Sequence, residues 1–233
     1  MNTTHSLIAI LIFASFFTAC NLTQNITYPV NEITPSKAVE TIPINVNVKT
    51  LADHRTHIEE NMVLFTSPRE TTVGLKRFCI NSEKHYNKDA VVDQITQLLV
   101  KHINKAQLFA NASYNTYFGS DYYLTGTLTN FYGEQEVSTD AVIGSMFGLV
   151  GALATADLTT PGIIIIEISD LKLFRKDDDT LIKDFGSFYK EYKSHFKVDA
   201  YCWCIYQNMN QKLKDFNAEL IEMIRAELLN VNL

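Results

Sequence analysis

Asp53-His54-Arg55, followed by His57 and then by Glu59 and Glu60, gathers carboxylates, imidazoles and a guanidinium where an alternating strand pattern ends. Two kinds of chemistry could use such a run. A carboxylate beside an imidazole serves general acid and base catalysis, so a secreted hydrolase with its site near Asp53–His57 is one reading. Two histidines three apart, His54 and His57, could also share a metal on a turn, but the spacing is loose and no cysteine joins them. The plainer reading is preferred: Asp53 and Arg55 form a structural ion pair that pins the loop to the strand end. Asp177-Asp178-Asp179 lacks the alternating ligand spacing of a calcium loop and reads as a solvated turn. No G-x-S-x-G, Walker A, G-x-G-x-x-G or H-E-x-x-H pattern occurs, so no ready-made nucleophile, phosphate cradle or zinc protease site is visible. The expectation is a protein without enzymatic activity, resident metal or cofactor.

Cys20 carries a different chemistry. Leu7 to Phe17 is an uncharged apolar run of 11 residues, within the span of a secretory h-region and short of the roughly 20 that a spanning helix needs. It ends in Phe17-Thr18-Ala19-Cys20, which resembles the bacterial lipobox, where a small residue precedes a cysteine whose thiol receives a diacylglycerol before the peptidase cuts. The resemblance implies that residues 1–19 are a lipoprotein signal peptide and that Cys20 becomes the N-terminus, carrying diacylglycerol and an N-acyl chain. Asn21 rather than Asp follows, which implies an anchor in the outer membrane, facing the periplasm. An ordinary secretory signal cut near the same place, with Cys20 a free thiol, is the alternative. Cys79, Cys202 and Cys204 are then an odd set, too sparse for a disulfide framework; a bridge from Cys79 to Cys202 or Cys204 stays open.

Removing residues 1–19 leaves 214, enough to bury a sizeable core in one domain. The net charge of −6 argues against a nucleic-acid partner. Residues 20–41 hold Asn, Thr, Pro and Ser with scattered apolar positions and read as a flexible tether that leaves anchor and domain uncoupled. From 42 to 233 the pattern predicts a single periplasmic α+β domain.

Several elements must position these groups. Ile42–Leu51 alternates, with Ile42, Ile44, Val46 and Val48 on the buried side and Asn45, Asn47 and Lys49 opposite, so it reads as a half-buried strand with Pro43 near its start. Short strand candidates follow at Met62–Phe65 and Val73–Ile80. Asp89–Leu108 shows a helical stripe of Val92, Ile95, Leu99, Ile103 and Ala106, with Asn87 or Asp89 as the cap. Asp121–Phe131 reads as a strand with Leu124, Gly126 and Leu128 inward and Tyr123, Thr125, Thr127, Thr129 and Phe131 outward; Gly126 would admit a helix backbone. Ile163–Phe174 is a long strand whose phase slips at Asp170, and it turns at Arg175–Thr180 into a partner at Leu181–Tyr192. A helix from about Ala200 to Asn230 closes the chain, its stripe running from Cys202 through Met209 and Phe216 to Leu228. The expected fold is a mixed or antiparallel sheet with that C-terminal helix and a second helix packed on one face.

Ala141–Ala156 stands apart, sixteen residues without a charge. Gly144 and Gly148 share one narrow helical face, and with Gly151 they form a small-residue surface expected to pack on the protein's own sheet, on a protein partner or on a second copy.

Taken in order, an exported lipobox, a strand ending in Asp53-His54-Arg55, a helix, the strand Asp121-Tyr-Tyr-Leu-Thr-Gly-Thr-Leu, a hairpin around Asp177 and a C-terminal helix resemble the small periplasmic α/β lipoproteins. The YajG family is most similar in its Asp-x-Arg pair, matched by Asp53 and Arg55. ABC-type transport auxiliary lipoproteins, the LptE family and the penicillin-binding-protein activator LpoB share parts of the pattern. The resemblance implies an accessory binding or assembly subunit of a bacterial envelope machine, for transport or biogenesis. The chain departs from it at 141–156 and in the irregular stretch after Arg55.

Overall fold

The computed structural model describes residues 25–33, 40–55, 77–80, 90–116, 118–137, 158–197 and 203–229. The class is α+β. Among the described residues seven strands, β1 (Ile42–Val48), β2 (Ala52–Asp53), β3 (Arg77–Ile80), β4 (Phe109–Tyr114), β5 (Tyr122–Val137), β6 (Thr159–Arg175) and β7 (Leu181–Lys197), make one mixed sheet. Its order is β4-β1-β5-β6-β7, with β4, β1 and β5 parallel and β5, β6 and β7 antiparallel. β2 continues the line of β1 along β5, and β3 joins the far end of β5. Helices α1 (Val91–Lys105) and α2 (Trp203–Leu228) bury their apolar stripes in a shared core with the sheet.

β1 is more deeply set than its alternation predicts. Asn47, placed on the open side by its parity, is fully buried, because the chain leaving β4 crosses over the end of β1 on its way to β5. Three bonds fix the crossing: Thr116 N–H donates to Asn47 Oδ1 (2.9 Å), Asn115 N–H to the Val48 carbonyl (3.1 Å) and Asp121 N–H to the Asn45 carbonyl (3.1 Å). Pro43 falls between the pairings of Ile42 and Asn45, where the ladder with β4 skips, so its missing N–H costs no ladder bond.

α1 buries Val91, Val92, Ile95, Leu98, Leu99 and Ile103. Its N-cap is Ala90, with no side-chain capping bond, in place of the expected Asn87 or Asp89; Asp93 in the first turn supplies the negative charge that the helix dipole favours. At the other end Arg225 of α2, 4% exposed, donates to the carbonyls of Ala106 (2.9 Å) and Glu40 (3.0 Å). One guanidinium thus closes α1 and holds the entry to β1.

Two expectations about β5 are corrected. The pairing with β6 skips between Leu128 and Asn130, so a bulge at Thr129 turns Phe131 onto the core face opposite Ile166, where it is buried. Among the described residues Gly126 meets side chains in place of a helix backbone: a Cβ there would touch Leu51, Ile168 and Leu171 at 3.0–3.2 Å. The close approach of the helix is at Gly133, where a Cβ would lie 2.8 Å from Met209 Sδ and 3.2 Å from Ile205 Cγ1 on α2. Gly133→Val is therefore expected to cost about 1–3 kcal/mol by overpacking, read as a shift in urea midpoint. Met209→Ala makes room, so a double-mutant cycle should return a favourable coupling.

The phase slip in β6 lies at Asp170, whose φ of 51° is left-handed. Ile164, Ile166 and Ile168 are buried before it and Leu171 and Leu173 after it, so the bulge keeps the core face apolar across a change of parity. α2 lays Ile205, Tyr206, Met209, Leu213, Phe216, Leu220, Ile224 and Leu228 along that face. At β7, Phe188 tilts against Phe216 with centroids 5.0 Å apart, and Lys183 and Lys190 reach Glu227 and Glu219 of α2.

The flexible tether expected over residues 20–41 is corrected for Asn25 to Ile33. Ile26 and Tyr28 are buried, a 3-10 turn follows at Val30–Glu32, and the segment lies on α1 and α2. Ile26 N–H donates to Gln94 Oε1 (3.0 Å), Asn210 Nδ2 to the Asn25 carbonyl (2.9 Å), and Lys214 pairs with Glu32 (3.0 Å). Residues 1–24, the strand candidate Met62–Phe65, the stretch Ala141–Ala156 with Gly144, Gly148 and Gly151, and Cys202 lie outside the described residues, as do the side chains of Cys79 and Cys204.

Candidate functional site

Asp53 and Arg55 meet at the end of β2. Ala52 and Asp53 pair in parallel with Thr127 and Leu128, and His54 N–H donates to the Leu128 carbonyl (3.0 Å), so the backbone here is stitched to β5. Arg55 Nε and Nη2 donate to Asp53 Oδ1 (2.8 Å) and Oδ2 (2.6 Å), and the Arg55 backbone N–H adds a bond to Oδ1 (3.3 Å). The bidentate fork fits a carboxylate plane, and it fastens the loop two residues on to the strand. Hydrogen bonding from Arg55, with its charge, holds the Asp53 carboxyl below its ordinary pKa, against the effect of burial. A carboxylate so stabilised is a weak base. His54 is exposed; His57, Glu59 and Glu60 lie outside the described residues. Among the described residues no group of three or more His, Cys, Asp or Glu side chains is placed to hold a metal.

A second polar cluster forms where β1 and β4 end and α1 begins. Tyr114 Oη donates to Asp93 Oδ1 (2.6 Å) and lies 2.9 Å from Thr50 Oγ1, which is 3.3 Å from the same carboxylate oxygen. Asn115 grips Thr50 from both sides, its Oδ1 accepting from Thr50 N–H (3.0 Å) and its Nδ2 donating to Thr50 Oγ1 (2.7 Å). Burial and the bond to Asp93 raise the Tyr114 pKa, so the phenol acts as a donor. Sequence reading singles out none of these four, because Thr50 stands 64 residues from Tyr114. A signal was present in the order of strand, helix and short parallel strand, since polar groups of such units collect at the carboxyl ends of the strands.

At the opposite end of the sheet, Glu134, Ile163 and Lys193 stand in one row across β5, β6 and β7. Gly133 and Ile164, one position away, face α2, so this row lies on the other side of the sheet. With Pro161, Gly162, Ser194 and His195 it lines an open concavity of about 400 Å³. Tyr132 Oη donates to Glu134 Oε2 (2.6 Å), and Lys193 pairs with Glu191 (2.5 Å).

No protein-family model matches the sequence, and comparison with curated proteins returns no match. Solved structures do show likeness in arrangement. Protein XCC0632 of Xanthomonas campestris, described under the family DUF330, aligns over 88% of this chain and 98% of its own at 12% identity, with a TM-score of 0.47. An uncharacterised protein aligns over 83% and 99% at 14% identity (TM-score 0.42). A PelC dodecamer from Paraburkholderia phytofirmans supplies a third chain, aligned over 82% and 94% at 6% identity (TM-score 0.38).

Proposed function

We propose that this protein is a lipid-anchored, non-catalytic binding subunit of a bacterial cell-envelope complex, held by Cys20 on the periplasmic face of the outer membrane. The observation that carries the reading is the uncharged run Leu7–Phe17 closing on Thr18-Ala19-Cys20, which suits export followed by acylation of one thiol. The docked arm gives that anchor a mechanical meaning. Four residues lie between Cys20 and Asn25, and the five residue-to-residue steps span at most about 18 Å when fully extended. The lipid would then hold the α1–α2 side of the domain close to the headgroups and would limit its tumbling. Engagement of Asp53 by Arg55 supports binding over hydrolysis, because the carboxylate that a hydrolase would use as base is occupied by two guanidinium bonds. Metabolic labelling with a palmitate analogue tests the anchor. Label is expected on the wild type and absent from Cys20→Ala; a Cys20→Ala chain that still incorporates it defeats the reading.

A further inference from the structure

β7 closes the sheet, and among the described residues no strand pairs with the edge it turns away from β6. An open edge is a row of unpaired N–H and C=O groups, which proteins blunt with bulges, prolines or charges. The two halves of β7 differ in this respect. Between Leu181 and Gly186 the pairing with β6 shifts repeatedly, and Gly186 has a φ of 68°, so this half is kinked. From Phe188 to Phe196 the register runs unbroken against Thr160–Ile168, without a glycine or proline in the strand. That is a long, regular edge without bulge or proline, whose charges are Lys190, Glu191 and Lys193, and it carries Tyr189, which is 47% exposed.

We propose that this half of β7 pairs antiparallel with the same half of a second copy, about a two-fold axis at Tyr192, joining two sheets into one. Charge selects the register. With the axis at Tyr192, Glu191 stands opposite the partner's Lys193, and by symmetry Lys193 stands opposite the partner's Glu191. Tyr189 meets the partner's His195, Phe188 the partner's Phe196 and Lys190 the partner's Ser194, and no like charges are directly opposed. Moving the axis one residue back sets Glu191 against Glu191, and one residue on sets Lys193 against Lys193. Directly opposed like charges destabilise a ladder, so both neighbouring registers are disfavoured. Glu191 and Lys193 face away from α2, with side-chain exposures of 31% and 76%, and both are placed to meet a partner. This interface is independent of the lipid anchor.

Sedimentation velocity on the full chain in density-matched detergent tests the proposal. The wild type is expected to pass from monomer to dimer as concentration rises. Glu191→Lys alone and Lys193→Glu alone should each stay monomeric with unchanged circular dichroism, because each variant opposes like charges twice across the two-fold axis. An equimolar mixture of the two should regain the dimer, since both pairs between positions 191 and 193 are then of opposite sign. A wild type monomeric throughout, a dimer that both single variants preserve, or a mixture that stays monomeric overturns it.

Discussion

Tyr28→Ala is expected to destabilise the protein by about 3–5 kcal/mol, the usual cost of deleting a buried aromatic side chain. The ring is 6% exposed and meets His102 edge-on, with centroids 5.8 Å apart. Its hydroxyl is the hub of a buried network, accepting from Asn217 Nδ2 (2.7 Å) and lying 3.1 Å from His102 Nδ1 and 3.4 Å from the Leu98 carbonyl. Burial holds the phenol pKa well above its ordinary value, which keeps the group a neutral donor. Tyr28→Phe separates the two contributions. It keeps the packing and removes the hydroxyl from buried partners on both helices, so a loss of about 1–3 kcal/mol is expected. Urea unfolding of both variants supplies the measurement. A Tyr28→Ala midpoint close to that of the wild type would mean that Asn25–Ile33 behaves as a tether after all.

Why the arm reads as a tether in sequence has a physical answer. Its two anchors, Ile26 and Tyr28, are too few to make a periodic pattern, and every partner lies far away: Gln94 is 68 residues on, His102 74 and Asn217 189. Local pattern carries the elements whose burial is periodic. β1, β6, β7 and both helices are legible for that reason, and the slip at Asp170 is legible because the apolar parity changes along the sequence. At Thr129 the same kind of bulge leaves no such mark, since Thr and Asn suit either face; Phe131 therefore reads as outward when it is buried. The candidate site divides in the same way. Asp53 and Arg55 are two residues apart and their meeting is a local event, whereas Thr50, Asp93, Tyr114 and Asn115 are assembled by the parallel pairing of β1 with β4 and by the start of α1.

His102 gives the arm a pH dependence of definite sign. The ring is buried, and burial first, with the positive charge of Lys214 second, lowers its pKa from 6.5 to about 4. The groups around it are the Tyr28 hydroxyl from the arm, Asn217 from α2 through that hydroxyl, and Lys214, whose ammonium is paired with Glu32. The neutral imidazole places Nδ1 3.1 Å from the phenol oxygen, in a hydrogen bond whose direction the ring tautomer sets. In the imidazolium both ring nitrogens are donors, so Nδ1 can only donate toward an oxygen that already accepts from Asn217, and a charge is buried beside Lys214. Because the folded pKa lies below the unfolded one, the unfolded chain binds the proton first. The stabilisation is therefore complete above about pH 6.5 and is lost as the pH falls toward 4, by about 2 kcal/mol once screening of the Lys214 charge at the surface is allowed for. The expected result is a wild-type stability that declines through this window more steeply than that of His102→Gln, with the two curves running parallel above pH 7. Equal slopes from pH 7 to 4 would remove His102 as the titrating group and leave the docking of the arm to packing alone.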